Sequence, residues 1–458
     1  MSAERSVVVV GGGLAGITAA LDCADAGASV TLVEVRPRLG GAVYSVEREG
    51  LRMDNGQHVF LRCCTAYHAL LSRLGSDHLV SIQPRLEIPV LKPGSAPTLL
   101  RRGSLPAPLH LAGVLARYPH LSARQRFGVI RAALGLMRLD PDDPRLDEIS
   151  FGEWLEAHGQ DAEAVSVLWD LIALPTLNLP AAEASLALGV FVFRTGLFTS
   201  ADAGDIGFHT GTLSEIVGVP AERALCDAGV DVRLGWGAER LERGEDGFEV
   251  HARGDADGVS AQTAIVAVPH TRAASLLEGL LGGTARGFAE LGGSPIVNLH
   301  VVFDREVTSH RFAAGVGTPV QYLFDRSAAA GAPTGCQYLA VSLSGAEREM
   351  AMSVEELREL YVPALRELLP RARRANVESF LVTREHAATI RAAPGTASLR
   401  PAARTAVPGL LLAGSWTDTG GPATLEGAVL SGHAAAAEAL RRLALAPPPQ
   451  PVAWGAAA

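Results

Sequence analysis

"SVVVVGGGLAGITAALDCADAGASVTLVE", residues 6–34, decides the fold. A β-branched run from Val7 to Val10 stops at three glycines, an Ala/Leu-rich helix follows as far as Gly27, and a second run, Ser29 to Val33, ends at Glu34. Strand, turn, helix and strand in that order make a βαβ unit, whose two strands lie parallel in one sheet. Gly11, Gly13 and Gly16 spell G-x-G-x-x-G at the strand-to-helix junction. The first permits the tight turn, the second lets the backbone approach a pyrophosphate, and the third lets helix and strand pack closely. The N–H groups opening the helix face the anion. Glu34, at the end of the second strand, is placed to accept hydrogen bonds from a ribose, so the unit is read as a dinucleotide site.

Outward from this unit, "EVRPRLGG" (Glu34 to Gly41) resembles the E-x-x-x-R-x-G-G segment of the flavin-containing amine oxidase and phytoene desaturase superfamily. The resemblance implies non-covalent FAD, with Glu34 on the ribose and Arg38, Gly40 and Gly41 along the pyrophosphate and flavin. Ala42 departs from the arginine common after the doublet. Near the other end, "VPGLLLAGSWTDTGGPATLEGAVLSGHAAAAEAL" resembles the closing FAD motif of the same superfamily, and Gly414, Thr424, Leu425 and Glu426 are carried over as cofactor contacts. Ser415 stands where an acid is common. No cysteine follows Cys336, so the closing motif has no thiol for covalent flavin attachment. The strand in "GVDVRL" corresponds to one that brings Val232 near the adenine.

"DNGQHVF" (Asp54 to Phe60) crowds an acid, two amides and a histidine together, about a dozen residues past the glycine doublet. The superfamily brings its chain under the flavin there, which puts Gly56 and Gln57 against the cofactor. With "LPAPLHLAGVLARYPHLS" and "LWDLIALPTLNLPAAEASL", this wording resembles the squalene-associated branch, the hydroxysqualene dehydroxylases. The resemblance implies a hydrophobic isoprenoid substrate, a thirty-carbon allylic alcohol reduced to squalene. Such chemistry needs a proton for the departing hydroxyl and a hydride from reduced FAD. His58 is the candidate acid, with Asp54 to orient or charge it. Trp416 and Tyr44 are candidates to face a passing cation. Against this stands a structural role for Asp54, Gln57 and His58 in a tight turn, and cofactor packing for Tyr44. His270, after Pro269, is read as a strand-end residue. The histidines show no metal-ligand spacing.

At 458 residues with 48% apolar content the chain exceeds one ordinary domain. The fold class read from these signals is α/β, a Rossmann-type FAD-binding domain interleaved with an α+β substrate domain. The FAD-binding parts span 1–86, 199–290 and 393–445. The substrate domain takes a helical part, 87–198, whose helices from Ser150 to Phe198 suit a greasy tunnel, and a sheet part, 291–392. A proline-rich tail, 446–458, is expected to be disordered.

The net charge of −9 argues against a nucleic-acid partner. Five cysteines without framework spacing fit a reducing cytoplasm. No apolar stretch approaches the roughly 18 residues of a membrane span. Yet no Asp or Glu occurs from Ile88 to Leu139, while Lys92, Arg101, Arg102, Arg117, Arg124, Arg126, Arg131 and Arg138 fall within it. Phe127, Ile130, Leu134 and Met137 recur at helical spacing, flanked by arginines seven apart. Two readings stay open: an interfacial helix at the cytoplasmic membrane face, or an ordinary cap-domain helix with a solvated flank. The electron donor to FAD leaves no signature. An isoprenoid desaturase, an amine oxidase and a non-redox prenyl escort like the Rab GDP dissociation inhibitors are the competing activities.

Overall fold

The computed structural model describes residues 5–252, 254 and 258–449. The last nine residues of the expected disordered tail, 450–458, lie outside them.

The opening segment forms strand β1 (Ser6–Val10), helix α1 (Leu14–Asp25) and strand β2 (Ser29–Glu34). Four consecutive valines in β1 are almost wholly buried, as a strand covered on both faces requires. The two strands pair parallel, and Thr263–Val266 pairs parallel on the other side of β1. The full sheet runs Asp231–Leu234, β2, β1, Thr263–Val266, Leu410–Leu412, every pairing parallel. Chain direction across the sheet reverses at β1, so the glycine turn after it lies at the switch point where such sheets bind ligands. The Leu425–Arg442 helix packs on α1 so closely that a Cβ on Gly432 would stand 2.4 Å from the Ala15 carbonyl oxygen.

The second layer is a seven-stranded sheet, largely antiparallel, built mainly on Ser294–Phe303, Gln337–Ser344 and Val377–Thr389. Alternation along Ser294–Phe303 sorts its faces. Val297, Leu299, Val301 and Phe303 pack with Leu357, Tyr361 and Leu365 of the helix Val354–Leu368, which a Ser353/Glu356 capping box starts. Asn298 and His300 point the other way, into buried polar contacts. The segment from 87 departs from the expected helical character at its start. Glu87–Leu91 and Thr98–Arg101 are strands at the edge of this sheet, and helices begin only afterwards. Within the helical part Phe151, Trp169 and Phe193 pack on one another with ring centroids 5.1–5.8 Å apart.

Asp205 ties these parts together. Its carboxylate is fully buried and accepts hydrogen bonds from Leu86 N (2.7 Å), Arg102 Nε (2.7 Å) and Arg62 Nη2 (3.2 Å). Arg102 is itself 12% exposed at the side chain, so removing the acid leaves an uncompensated, nearly buried charge. Asp205→Ala is expected to destabilise the fold by about 3–5 kcal/mol in denaturant unfolding. A loss below about 1 kcal/mol would show that the cluster is not a clamp.

Candidate functional site

Backbone, rather than side chains, makes the upper half of the site. Gly40 N donates to Gly12 O at 2.9 Å, and Gly13 and Gly40 form a parallel bridge. A Cβ on Gly41 would sit 2.8 Å from the Gly13 Cα, and one on Gly16 1.9 Å from the Gly11 carbonyl oxygen. Gly40 and Gly41 both have positive φ, 103° and 58°, which favours glycine sterically as well. No side chain caps α1, leaving its first N–H groups for an anion. Glu34 is buried at the end of β2, its Oε2 accepting from Gly12 N and its Oε1 from Arg36 N, both at 2.7 Å. A carboxylate with one such bond per oxygen keeps lone pairs for further donors. Val232 lies opposite Leu32 on the neighbouring strand, and Leu234 opposite Glu34. Arg38 donates to Gly41 O at 3.2 Å, and its guanidinium lies 3.8 Å over the Tyr44 ring.

The closing segment enters beside this cradle. Gly414 N donates to Ser431 Oγ at 2.8 Å, and Thr424 caps the last helix through Gly427 N. Leu425 is the first residue of that helix, and Ser415 is partly exposed beside Gly414. Arg400 binds the carbonyls of Ser415, Thr417 and Gly421, holding the loop in shape. It belongs to no motif, and no spacing in the sequence marks it.

Two residues carried over as site groups do other work. Glu426 is fully buried and caps the helix α2 (Thr65–Leu74), accepting from Ala66 N at 3.0 Å and Tyr67 N at 2.6 Å. Its carboxylate therefore satisfies helix donors instead of a cofactor. Trp416 is 3% exposed, donates to Val268 O at 2.9 Å, and packs against Phe288 with ring centroids 5.1 Å apart. It is a core residue, so no aromatic face is offered to a cation there. His270 begins the helix His270–Leu281 instead of ending a strand.

The "DNGQHVF" turn forms the lower half. Asp54 is committed: Oδ1 accepts from Ser45 Oγ (2.7 Å) and Leu213 N (2.9 Å), and Oδ2 pairs with Arg326 at 2.7 Å. No hydrogen bond joins it to His58, which it influences only through its charge. Gly56 lies between His58 and Asn298: a Cβ there would be 3.5 Å from His58 Nε2 and 3.6 Å from Asn298 Nδ2. Gln57 Nε2, His58 Nε2 and Asn298 Oδ1 are all sealed from solvent without a protein partner. Buried polar atoms are seldom left so, and their clustering marks the place of a ligand. Tyr44 Oη and Asn55 Nδ2 both donate to Glu385, and Thr383 Oγ1 donates to Asn55 O. Asn298, Thr383 and Glu385 went unassigned in the sequence. A polar residue at alternate positions of an otherwise apolar strand, as in "IVNLHVVF", was the available signal.

Between the turn and the seven-stranded sheet lies a narrow cleft, partly open to solvent. Gln57, His58, Phe208, Phe324 and Arg311 line it. Arg311 lies 4.9 Å over the Phe208 ring. Burial pushes the His58 imidazole below its ordinary pKa, against opposing pulls from Asp54 and Glu385. His209, bonded to Tyr67 Oη at 2.9 Å, is pushed down to about 3 by burial and the neighbouring His58 and Arg326 charges. Burial likewise takes His300 down to about 4.

The glycine cradle, the free lone pairs of Glu34, the uncapped helix start and the three orphaned atoms below fit an extended dinucleotide with a polar-edged ring. FAD is such a group. Gly13, Gly40, Gly41 and Glu34 would hold its pyrophosphate and ribose, and Asn298 would meet the ring edge. Among the described residues no cluster of His, Cys, Asp and Glu could hold a metal ion.

His209 and His300 are neutral in the fold, while unfolded histidine titrates near 6.5. Between pH 6.5 and about 4 the unfolded chain binds more protons, so stability present above pH 6.5 is lost as pH falls. The unfolding midpoint is expected to drop between pH 6.5 and 5, above the carboxylate range, and His209→Gln to flatten that slope. An unchanged slope would contradict the burial of a neutral imidazole.

Comparison with known proteins agrees with the geometry. The model of the family described as flavin containing amine oxidoreductase matches residues 14–440. Zeta-carotene desaturase of Zea mays is 27% identical over 481 residues, covering 94% of this chain and 82% of that protein. Hydroxysqualene dehydroxylase of Rhodopseudomonas palustris is 28% identical over 443 residues, covering 94% and 98%. Among solved structures, a redesigned putrescine oxidase superposes with TM-score 0.73 at 21% identity, covering 96% of this chain and 99% of that one. An oxidoreductase from Methanosarcina mazei gives 0.71 at 16%, covering 93% and 98%. The chain belongs to the flavin containing amine oxidoreductase family, and is an FAD-dependent oxidoreductase.

Proposed function

We propose that this enzyme removes the hydroxyl of hydroxysqualene reductively, giving squalene. The observation that carries the reading is the pair of unpartnered nitrogens, Gln57 Nε2 and His58 Nε2, in a cleft walled by Phe208 and Phe324. An allylic alcohol supplies an oxygen to those groups, and a carotenoid hydrocarbon supplies none. A site whose buried donors go unmet loses roughly 1–3 kcal/mol for each, so it selects against the hydrocarbon. The near full-length likeness to hydroxysqualene dehydroxylase supports the reading. The maize desaturase, of similar identity, supports the second one, oxidative desaturation of an isoprenoid on the same scaffold.

Reduced FAD, when bound, supplies the hydride. The chain's own groups prepare the carbon that receives it. The Gln57 amide and the His58 ring bind the hydroxyl, and Arg311 offers further donors toward the departing oxygen. His58 delivers the proton from Nε2 as that oxygen leaves as water. Phe208 and Phe324 keep bulk water from the allylic cation and turn apolar surface toward it. Asp54, held by Arg326, fixes the start of the turn that carries His58 and is a positioning residue. The domain boundaries given above are proposed on the same footing, with the substrate chain running from the cleft over the helical part.

The test is anaerobic. Photoreduced, FAD-loaded protein is expected to convert hydroxysqualene to squalene in stoichiometric yield. Desaturation of ζ-carotene by the oxidised protein, with no squalene formed, would overturn the proposal in favour of the second reading.

His58→Gln is expected to lower turnover about 10²-fold or more, the usual range for a lost general acid. Because the pKa of His58 lies below 6.5 and the acid form is the active one, wild-type turnover should fall as pH rises through that lowered value. The variant should lose this limb. An identical pH profile in the variant would remove His58 from proton delivery.

A further inference from the structure

The helix Ala123–Arg138 is built inside out. Its buried face is Val129, Ala132 and Leu136, while the larger Phe127, Ile130 and Leu134 are 67%, 43% and 43% exposed. The ordinary cap-domain reading needs that larger stripe in the core, and the structure puts it in solvent. Of the twelve large apolar side chains exposed among the described residues, six lie between 99 and 134, Leu99, Leu105 and Leu109 being the others. A Ser122/Gln125 capping box fixes where the helix starts.

Charge follows the same face. Arg124, Arg131 and Arg138 are exposed along one flank of the stripe, and Arg117 is exposed just before it. Among the described residues none of the four forms an ion pair within 4 Å; Asp161 is the acid whose charge Arg124 feels. The other arginines of the acid-free stretch are spent internally. Arg101 pairs with Glu87, Arg102 with Asp205, and Arg126 with the Tyr118 and Ala116 carbonyls. Four cations without an ion-pair partner among the described residues, Arg131 also donating to the His158 carbonyl at 3.4 Å, edge an exposed apolar stripe on a chain of net charge −9.

We propose that this face docks on an anionic phospholipid surface, with Phe127, Ile130 and Leu134 entering the acyl boundary and Arg117, Arg124, Arg131 and Arg138 binding headgroup phosphates. An amphipathic helix lying in the interface buries its apolar face and keeps its cations at headgroup level. A second copy of the chain is a poorer occupant, because a two-fold contact through this face sets arginine rows against each other. Among the described residues no helix is long and apolar enough to cross a membrane, so attachment through this face is peripheral. The proposal is independent of the reaction catalysed, and its test contains no substrate.

The test is flotation of the FAD-loaded full chain with vesicles of phosphatidylglycerol and phosphatidylcholine, against phosphatidylcholine alone, at low and high salt. The wild type is expected to float with the anionic vesicles at low salt and to partition much less to the zwitterionic ones. Each arginine near an anionic surface contributes roughly fivefold in partition, so Arg124→Gln, Arg131→Gln and Arg138→Gln combined should lose on the order of a hundredfold. Phe127→Ser with Ile130→Ser should also release the protein while flavin absorbance shows the fold intact. Wild type that stays with the soluble fraction, or variants that float as well as wild type, would overturn the proposal. So would a dimer in light scattering that Phe127→Ser dissolves without any vesicle binding, which would give the face to a second copy.

Discussion

The contact on which the rest of the molecule depends is backbone against backbone: Gly12 and Gly13 at the end of β1 meeting Gly40 and Gly41 after β2. At the closest point a Cβ on Gly41 would strike the Gly13 Cα. Because side chains are absent there, the two segments form one continuous wall of peptide groups. That wall is the cradle proposed for the pyrophosphate, and Glu34, hydrogen-bonded to Gly12, holds its edge. The chain that leaves Gly41 then passes Tyr44, forms the short hairpin Ser45–Arg48 with Leu51–Asp54, and leads into the "DNGQHVF" turn, proposed to lie under the cofactor. Cofactor and reaction cleft are thus set by the same few residues.

A second constraint closes the cleft from below. Asp54, fully committed to Ser45, Leu213 and Arg326, does not share its charge by contact with His58, yet it anchors the turn from which His58 projects. Across from it, Asn298 on the strand Ser294–Phe303 and Thr383 on the strand Val377–Thr389 both donate to the Asn55 carbonyl. The FAD-binding half and the seven-stranded sheet meet through these amide contacts, leaving three polar atoms over. What remains unpaired in the protein is what a ligand is needed to pair.

The sequence made the cofactor half legible because its signals are local. Glycine spacing, β-branched runs and a terminal acid each have one physical meaning at one place in the chain. The residues that failed depend on what lies far away in sequence. Glu426 sits in a motif, but the open start of α2, about 360 residues earlier, claims its carboxylate. Trp416 lies beside a cofactor loop, but Phe288 and Val268 take it into the core. Arg400 and Asp205 act through partners that no spacing reveals. The amphipathic stripe of Phe127, Ile130 and Leu134 was visible as a pattern, while the side of the helix that faces solvent was decided by Val129, Ala132 and Leu136 packing inward.

The central claim is that Asn298, beside Gly56, and not the aromatic of the closing motif, meets the flavin ring. The most direct test is the visible absorbance spectrum of the FAD-loaded protein in Asn298→Ala and Trp416→Phe, each compared with wild type. The account predicts a displaced flavin band in Asn298→Ala and an unshifted one in Trp416→Phe. A shift confined to Trp416→Phe would contradict it, moving the flavin away from the cleft and with it the roles given to Gln57 and His58.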